Sequence, residues 1–304
     1  MQIGMIGLGK MGGNMVTRLL RNGHHVVAYD RSADAVDRSA GEGAAGARTL
    51  EELVAELTEL PRAVWVMVPA GDPTSSTIRR LSELCQPGDI VIDGGNTNWR
   101  DALLDAEVLK RAGLNYLDAG TSGGIWGLKN GYCLMIGGPQ EAYERCEPVF
   151  RALAPEDGGL VHTGPEGSGH FVKMVHNGIE YALMQAYAEG FEIMKQSTAY
   201  PGMDMHAIAE AWRSGSVVRS WLLDLIADGL SKDPDLADIK GYVEDTGEGR
   251  WTVAAAIDEA VPAPTITMAL YERFRSRMDD TFADKMLAMM RNQFGGHAVK
   301  TTRP

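Results

Sequence analysis

Four side chains able to act as acid, base or hydrogen-bond donor recur at helical spacing in Gly167–Tyr181 (GSGHFVKMVHNGIEY): Lys173, His176, Asn177 and Glu180. At about 100° per residue they share one helix face roughly 100° wide, with Tyr181 at its border and Val172, Val175, Ile179 and Leu183 on the opposite arc. An amine and a carboxyl group on one face can serve as general base and general acid. The rise of ~10 Å between the Lys173 and Glu180 Cα atoms suits a small substrate lying along the helix. The alternative is a solvated face carrying ordinary surface charge. The presence of His and Asn inside the stripe weighs against it.

A second chemical signal stands at the N-terminus. Gly7-Leu8-Gly9-Lys10-Met11-Gly12 is a G-x-G-x-x-G turn, placed directly after the apolar strand Gln2–Ile6 and before a helix expected from about Gly12 to Asn22. Such a turn lets the backbone approach a pyrophosphate and aims free N–H groups at it, which makes Gly7, Leu8, Gly9, Met11 and Gly12 cofactor contacts. Asp30 closes the strand His25–Tyr29, 18 residues beyond Gly12. Its carboxylate can accept hydrogen bonds from the adenosine ribose. That charge favours NAD, while Arg31 beside it can stack on adenine or pair with a 2′-phosphate, so NADP stays open. Val68, Pro69 and Asn96, at the ends of the next strand candidates, join the cofactor-contact set. A turn with a purely structural role is the competing reading.

These residues need a scaffold that brings strand ends together. Strand candidates Ala63–Val68, Asp89–Asp93, Tyr116–Ala119 and Tyr132–Ile136 follow the first two, with helical patterns at Ser75–Cys85 and Arg100–Ala112 between them. The alternation predicts an α/β Rossmann-type doubly wound sheet, mostly parallel, with helices on both faces. After about Gly164 the pattern becomes helical throughout, starting with one long helix over Phe171–Lys195. The breaks fall at Pro201-Gly202, Pro234, Gly247–Gly249, Pro262 and Pro264. The expectation is a dinucleotide-binding domain over 1–165 and an all-helical C-terminal domain over 166–304 that begins with the interdomain helix.

Composition agrees with two domains, since 304 residues exceed the roughly 150 of one open α/β sheet. A formal net charge of −12 argues against nucleic-acid binding. The longest apolar run, Ala63–Ala70, is far below the ~20 residues of a membrane span, and the N-terminus lacks the basic region of a signal peptide. Cys85, Cys133 and Cys146 form no CxxC pair, which fits buried, unremarkable thiols in a reducing cytoplasm. Met286, Met289 and Met290 follow helical spacing and are expected to pack in a core. No metal cluster is evident.

Taken together, G-L-G-x-M-G-x-N-M, Asp93-Gly-Gly-Asn96, Thr121-Ser122-Gly123-Gly124, Lys173-x-x-His176-Asn177-x-x-Glu180-Tyr181 and the tail Arg291–His297 resemble 6-phosphogluconate dehydrogenase, in a short, NAD-preferring form, over nearly the whole chain. The resemblance implies oxidative decarboxylation of 6-phosphogluconate, with Lys173 as general base and Glu180 as general acid. It assigns Asn96, Ser122, Gly123, Gly124, His176, Asn177 and Tyr181 to the sugar acid and Arg273 to its phosphate. Arg291 and His297 would complete a neighbouring subunit's site, which implies a homodimer or homotetramer. One departure concerns the phosphate pocket: aligned on Trp251, Thr246 and Glu248 occupy the positions of a family Lys and Thr. Arg250 could supply the missing charge, or the loop could simply cap a helix.

Two rivals remain at this stage. A 3-hydroxyisobutyrate-type dehydrogenase shares the turn, the Ser-Gly-Gly loop and the helix lysine, but typically carries Asn where this chain has His176. A non-catalytic nicotinamide-nucleotide sensor would need the turn and Asp30, and would have no use for an acid and a base on one helix face.

Overall fold

A computed structural model describes residues 1–296 and 298–300. Eight strands, β1 (Gln2–Ile6), β2 (His25–Tyr29), β3 (Ala45–Ala47), β4 (Ala63–Val66), β5 (Ile90–Asp93), β6 (Asn115–Ser122), β7 (Cys133–Gly137) and β8 (Leu160–Gly164), form one sheet in the order β3-β2-β1-β4-β5-β6-β7-β8. Every neighbouring pair is parallel except β6–β7. The intervening helices are α1 (Lys10–Arg21), α2 (Ala33–Gly41), α3 (Leu50–Glu56), α4 (Asp72–Leu84), α5 (Trp99–Arg111), the short α6 (Gly127–Asn130) and α7 (Gln140–Leu153). Strands buried on both faces read as apolar runs because helices cover both sides. Ile3, Met5 and Trp65 join a cluster on one face with Met15, Leu19 and Phe150; Ile6, Val64 and Val66 join one on the other with Ile78 and Leu81. Burying each such side chain contributes about 1.5–3 kcal/mol.

The expected doubly wound sheet is therefore present, with two strands that the sequence reading did not include. β3 is only Ala-Gly-Ala, and β8 (LVHTG) is only partly buried, so neither shows an apolar run. Strand ends also move. β4 stops at Val66, before Val68-Pro69. Asp89 stands outside β5 because its carboxylate accepts the Arg62 and Gln86 N–H groups at 2.8 and 3.0 Å and so builds the preceding turn. β6 runs on to Ser122 because it pairs with β7.

α8 (Ser168–Lys195) is the 28-residue helix expected after the sheet, beginning three residues earlier than its periodicity indicates. It is followed by α9 (Met205–Arg213), α10 (Trp221–Lys232), α11 (Glu248–Asp258), α12 (Pro264–Arg275) and α13 (Phe282–Gly295). Chain contacts separate two units within α8, Met1–His176 and Asn177–Pro304. In the second, Tyr187, Phe191 and Met194 of α8 pack with Met205 and Ala209 of α9 and Leu223 and Ala227 of α10. No described helix is long and apolar enough to cross a membrane.

Two packing expectations fail. Met286, Met289 and Met290 are 37%, 43% and 43% exposed, the apolar face of α13 meeting no core cluster among the described residues. Cys133 is exposed too, at the start of β7, whereas Cys146 is buried and Cys85 intermediate.

Candidate active site

In a parallel sheet, loops at the carboxyl ends of the strands converge near the point where strand order reverses. Here that point lies between β1 and β4, and it carries the glycine turn. Gly12 has no alternative: a Cβ there would lie 2.0 Å from Gly7 O. Several helices begin on a capping side chain, such as Thr49, Asn98 or Ser220. α1 begins on Gly9 with none, and nothing lies within 4 Å of a Cβ position on Gly9. The amide end of α1 is thus open to an anion, as a pyrophosphate requires. Asp30 is bound into the turn, its Oδ2 accepting the Leu8 N–H at 2.7 Å and its Oδ1 the Ser32 N–H at 2.8 Å. Leu8 therefore spends its amide on Asp30, while each carboxylate oxygen keeps further acceptor capacity. Arg31 beside it is exposed.

Along the same edge, Val68 and Pro69 follow β4, and Asn96 stands in the loop after β5, where the Gly95 N–H donates to Asp93 Oδ1 at 2.9 Å. Ser122 ends β6 and leads into Gly123 and Gly124, whose φ values of +129° and +52° suit glycine. The structure thus gathers the turn, Asp30, Val68, Pro69, Asn96 and Ser122–Gly124 along one edge of the sheet in the first unit.

α8 enters this edge against β6. Gly120 makes the approach close, since a Cβ there would lie 2.5 Å from Lys173 Cβ and 2.6 Å from Gly169 O. Lys173 is half-buried, and its Nζ lies 3.3 Å from His176 Nδ1. Asn177 and Glu180 continue the stripe and are likewise half-buried, whereas Val172, Ile179 and Leu183 on the opposite arc are 39%, 50% and 46% exposed. This inverts what a solvated polar face would show.

Within the second unit, Tyr181 is buried and the Arg273 guanidinium lies 3.5 Å from its ring centroid. Arg273 also donates to Glu244 O at 2.7 Å. The departing loop leads into a helix without a side-chain cap: Gly247, at φ +108°, opens α11, and the Thr246 hydroxyl donates to the buried Glu248 carboxylate at 2.5 Å. Arg250 ion-pairs with Asp245 at 2.6 Å and lies over the Phe274 ring, so its charge is compensated locally. Asp245 accepts from Arg277 as well, at 2.5 Å. The Arg250 hydrogen bond, reinforced by Arg277, holds its carboxyl at about 2 against the opposing effect of burial. Arg291 is exposed on α13, outside the Tyr181–Arg273 pair, and His297 lies outside the described residues.

The sequence reading passed over Asp118 and His170, both buried beneath this edge. The available signal was a charged residue inside the apolar strand YLDAG and a histidine three positions before the helix lysine.

The family model for the NAD binding domain of 6-phosphogluconate dehydrogenase matches residues 2–164, and that for the 6-phosphogluconate dehydrogenase C-terminal domain matches 169–302. The NAD(+)-dependent, decarboxylating 6-phosphogluconate dehydrogenase of Haloferax volcanii is 45% identical over 300 residues, 98% of each chain. The 6-phosphogluconate dehydrogenase of Plasmodium falciparum, solved in apo form and in complexes with NADP+ and with 6-phosphogluconate, aligns with a TM-score of 0.84 at 29% identity, covering 100% of this chain and 67% of its own. The 3-hydroxyisobutyrate dehydrogenase of Mycobacterium tuberculosis shares the fold, with a TM-score of 0.69 at 24% identity over 94% of this chain and 98% of its own.

Proposed function

The chain belongs to the 6-phosphogluconate dehydrogenase family, and we propose that it oxidatively decarboxylates 6-phosphogluconate to ribulose 5-phosphate and CO2, with NAD preferred and NADP also accepted. The observation that carries this reading is the α8 stripe: Lys173, His176, Asn177 and Glu180 are half-buried on one face while Val172, Ile179 and Leu183 on the arc behind them are exposed and Val175 is half-buried. A sensor has no use for such a face.

The turn fits the cofactor, with an uncapped α1 N-terminus and open space at Gly9 for the pyrophosphate and Asp30 for the ribose. Leu8, Met11, Arg31, Val68, Pro69 and Asn96 complete that surface. When bound, NAD supplies the acceptor for the hydride that leaves C3. Lys173, in its neutral form, removes the 3-hydroxyl proton, with His176 Nδ1 holding Nζ in place at 3.3 Å. The resulting ammonium donates to the new C3 carbonyl oxygen, doing what a Lewis acid would otherwise do. The electrons of the carboxylate-bearing bond pass into an enediol as CO2 departs. Glu180 then protonates the new C1.

Asn96, Ser122, Gly123, Gly124, His176, Asn177 and Tyr181 orient the sugar acid, and Arg273 meets the phosphate. Residues 1–165 form the dinucleotide-binding domain and lend Asn96 and Ser122–Gly124 to the sugar acid, while 166–304 supply the remaining substrate contacts and self-association. The open apolar face of α13, with Arg291 on the same helix and His297 beyond it, supports a homodimer or homotetramer in which the tail completes a neighbouring site. A cytoplasmic location, without nucleic-acid or membrane partners, goes with this metabolic role.

The test is nicotinamide reduction with 6-phosphogluconate, gluconate and 3-hydroxyisobutyrate, each with NAD and NADP. Turnover is expected to be fastest with 6-phosphogluconate and NAD. Preference for 3-hydroxyisobutyrate would transfer the chain to the smaller hydroxyacids, and turnover with none would return the sensor.

A further inference from the structure

Beneath the loops that carry the site, three ionisable groups meet in the interior of the first unit. Asp93 ends β5, Asp118 lies in β6 and His170 is in the first turn of α8; they are 0%, 0% and 2% exposed. Each carboxylate holds one functional segment. Asp118 accepts the Gly167 N–H on Oδ1 and the His170 N–H on Oδ2, both at 2.7 Å, and so anchors the start of the helix that presents Lys173. Asp93 accepts the Gly95 N–H on Oδ1 at 2.9 Å, next to Asn96, and the Tyr116 hydroxyl on Oδ2 at 3.1 Å. His170 joins the two, its backbone N–H on Asp118 and its ring Nε2 3.3 Å from Asp93 Oδ2.

We propose that His170 is a positioning residue for the reaction: with Tyr116 it braces Asp93 against α8, and through Asp93 it fixes the Asn96 loop in register with the start of the helix that bears Lys173. This rests on the functional reading above for the roles of Asn96 and Lys173. The groups facing the ring are Asp93 from β5 and Asp118 from β6, with the Tyr116 hydroxyl bonded to Asp93 and Thr97 beside it. Burial opposes charge on His170, but Asp93, and then Asp118, outweigh it and hold the imidazole above its usual range. Burial likewise opposes ionisation of Asp93, yet His170, Thr97 and the Gly95 N–H keep it below the carboxylate range. Asp118 is pushed up by burial, even though His170 and two backbone N–H groups favour its charged form. Each partner thus favours charge on the other, which gives the contact a direction that a neutral core contact would lack.

The test is a pair of double-mutant cycles with an exchange measurement beside them. His170→Gln keeps a donor but takes the imidazole away from a buried carboxylate, so Tyr116→Phe, which removes only a hydroxyl, serves as the second probe. Each is combined with Asn96→Ala, and kcat with 6-phosphogluconate and NAD is measured on folded protein. Expected losses are at least about tenfold for His170→Gln and about threefold for Tyr116→Phe, and each double variant should lose far less than the product of its two single losses. Losses that multiply in both cycles would overturn the brace. Amide exchange at Gly95 needs no substrate: it should quicken at least about tenfold in His170→Gln, and an unchanged rate would also overturn the proposal. A wild-type protein inactive on 6-phosphogluconate would instead refute the functional reading, with the exchange result still deciding the brace.

Discussion

Replacing Gly120 by Ala tests how closely α8 must sit on the sheet for Lys173 to work. The added methyl would lie 2.5 Å from Lys173 Cβ and 2.6 Å from Gly169 O. Non-bonded carbon atoms rest about 3.5–4.0 Å apart, so the helix start must retreat by about 1 Å. Neither neighbour is the end of a flexible side chain, and the strain falls on backbone. Overpacking of this kind destabilises by ~1–3 kcal/mol, and a displacement of ~1 Å in a catalytic group can cost ~10²-fold in rate. We expect kcat with 6-phosphogluconate and NAD to fall about 100-fold, with a lowered Tm. NAD affinity, set at the β1 turn, should stay within about threefold of wild type. Steady-state kinetics, thermal denaturation and cofactor titration on one preparation separate these effects. A Gly120→Ala protein with unchanged Tm and near-normal kcat would refute the argument, because α8 could not then be seated against β6 as described.

Lys173→Met should reduce turnover by about 10³-fold or more while Tm and NAD binding persist; substantial residual activity would remove Lys173 as the base. Glu180→Gln should leave hydride transfer intact in single-turnover absorbance traces and slow release of ribulose 5-phosphate, and the reverse pattern would remove the acid role. Truncation before Arg291 should raise KM for 6-phosphogluconate at least about tenfold without changing NAD affinity, and unchanged substrate affinity would sink the shared-site idea. Asp245→Asn addresses stability. The folded carboxyl sits at about 2 against the usual 3.8, a depression worth on the order of 2 kcal/mol before screening. Arg250 is 53% exposed, so ~1–2 kcal/mol is the realistic size after solvent screening. Because the folded pKa is depressed, this contribution is present above pH 3.8 and fades as pH falls through about 2. Urea unfolding at several pH values should show the difference from wild type shrink over that window; a difference constant down to pH 2 would falsify the linkage.

The sheet was legible where burial on both faces forces apolar runs: β1 and β2 match their expected limits residue for residue. It was not legible at β3 and β8, whose residues are small or half-exposed and gain strand geometry only by pairing with β2 and β7. The α8 stripe was readable because a helix repeats its faces at fixed angles. The cluster beneath it was not, because Asp93, Asp118 and His170 come from three elements, and no spacing rule connects a strand end, a mid-strand acid and a helix start. Met286, Met289 and Met290 show a different limit. Helical period reveals that α13 has an apolar face, but the period is the same whether that face meets its own chain or another surface.

The −12 charge illustrates the same separation between a chain-wide quantity and a local one. In the second unit three arginines grip three consecutive residues: Arg277 Nε donates to Val243 O at 2.8 Å, Arg273 to Glu244 O at 2.7 Å, and Arg250 and Arg277 pair with Asp245. Their guanidinium planes lie over Tyr181 and Phe274. Of these contacts only Asp245 contributes a carboxylate, so two arginines share one acid while Arg273 is held by a ring face and a carbonyl. A guanidinium seated on a ring keeps N–H edges for a further acceptor, and a planar fork suits a phosphate. An acidic protein can therefore hold a cation ready for a dianionic group, provided the carboxylates nearby are committed to other arginines. Asp245 meets that condition by taking Arg250 and Arg277, which leaves Arg273 as the residue on which phosphate recognition should depend most.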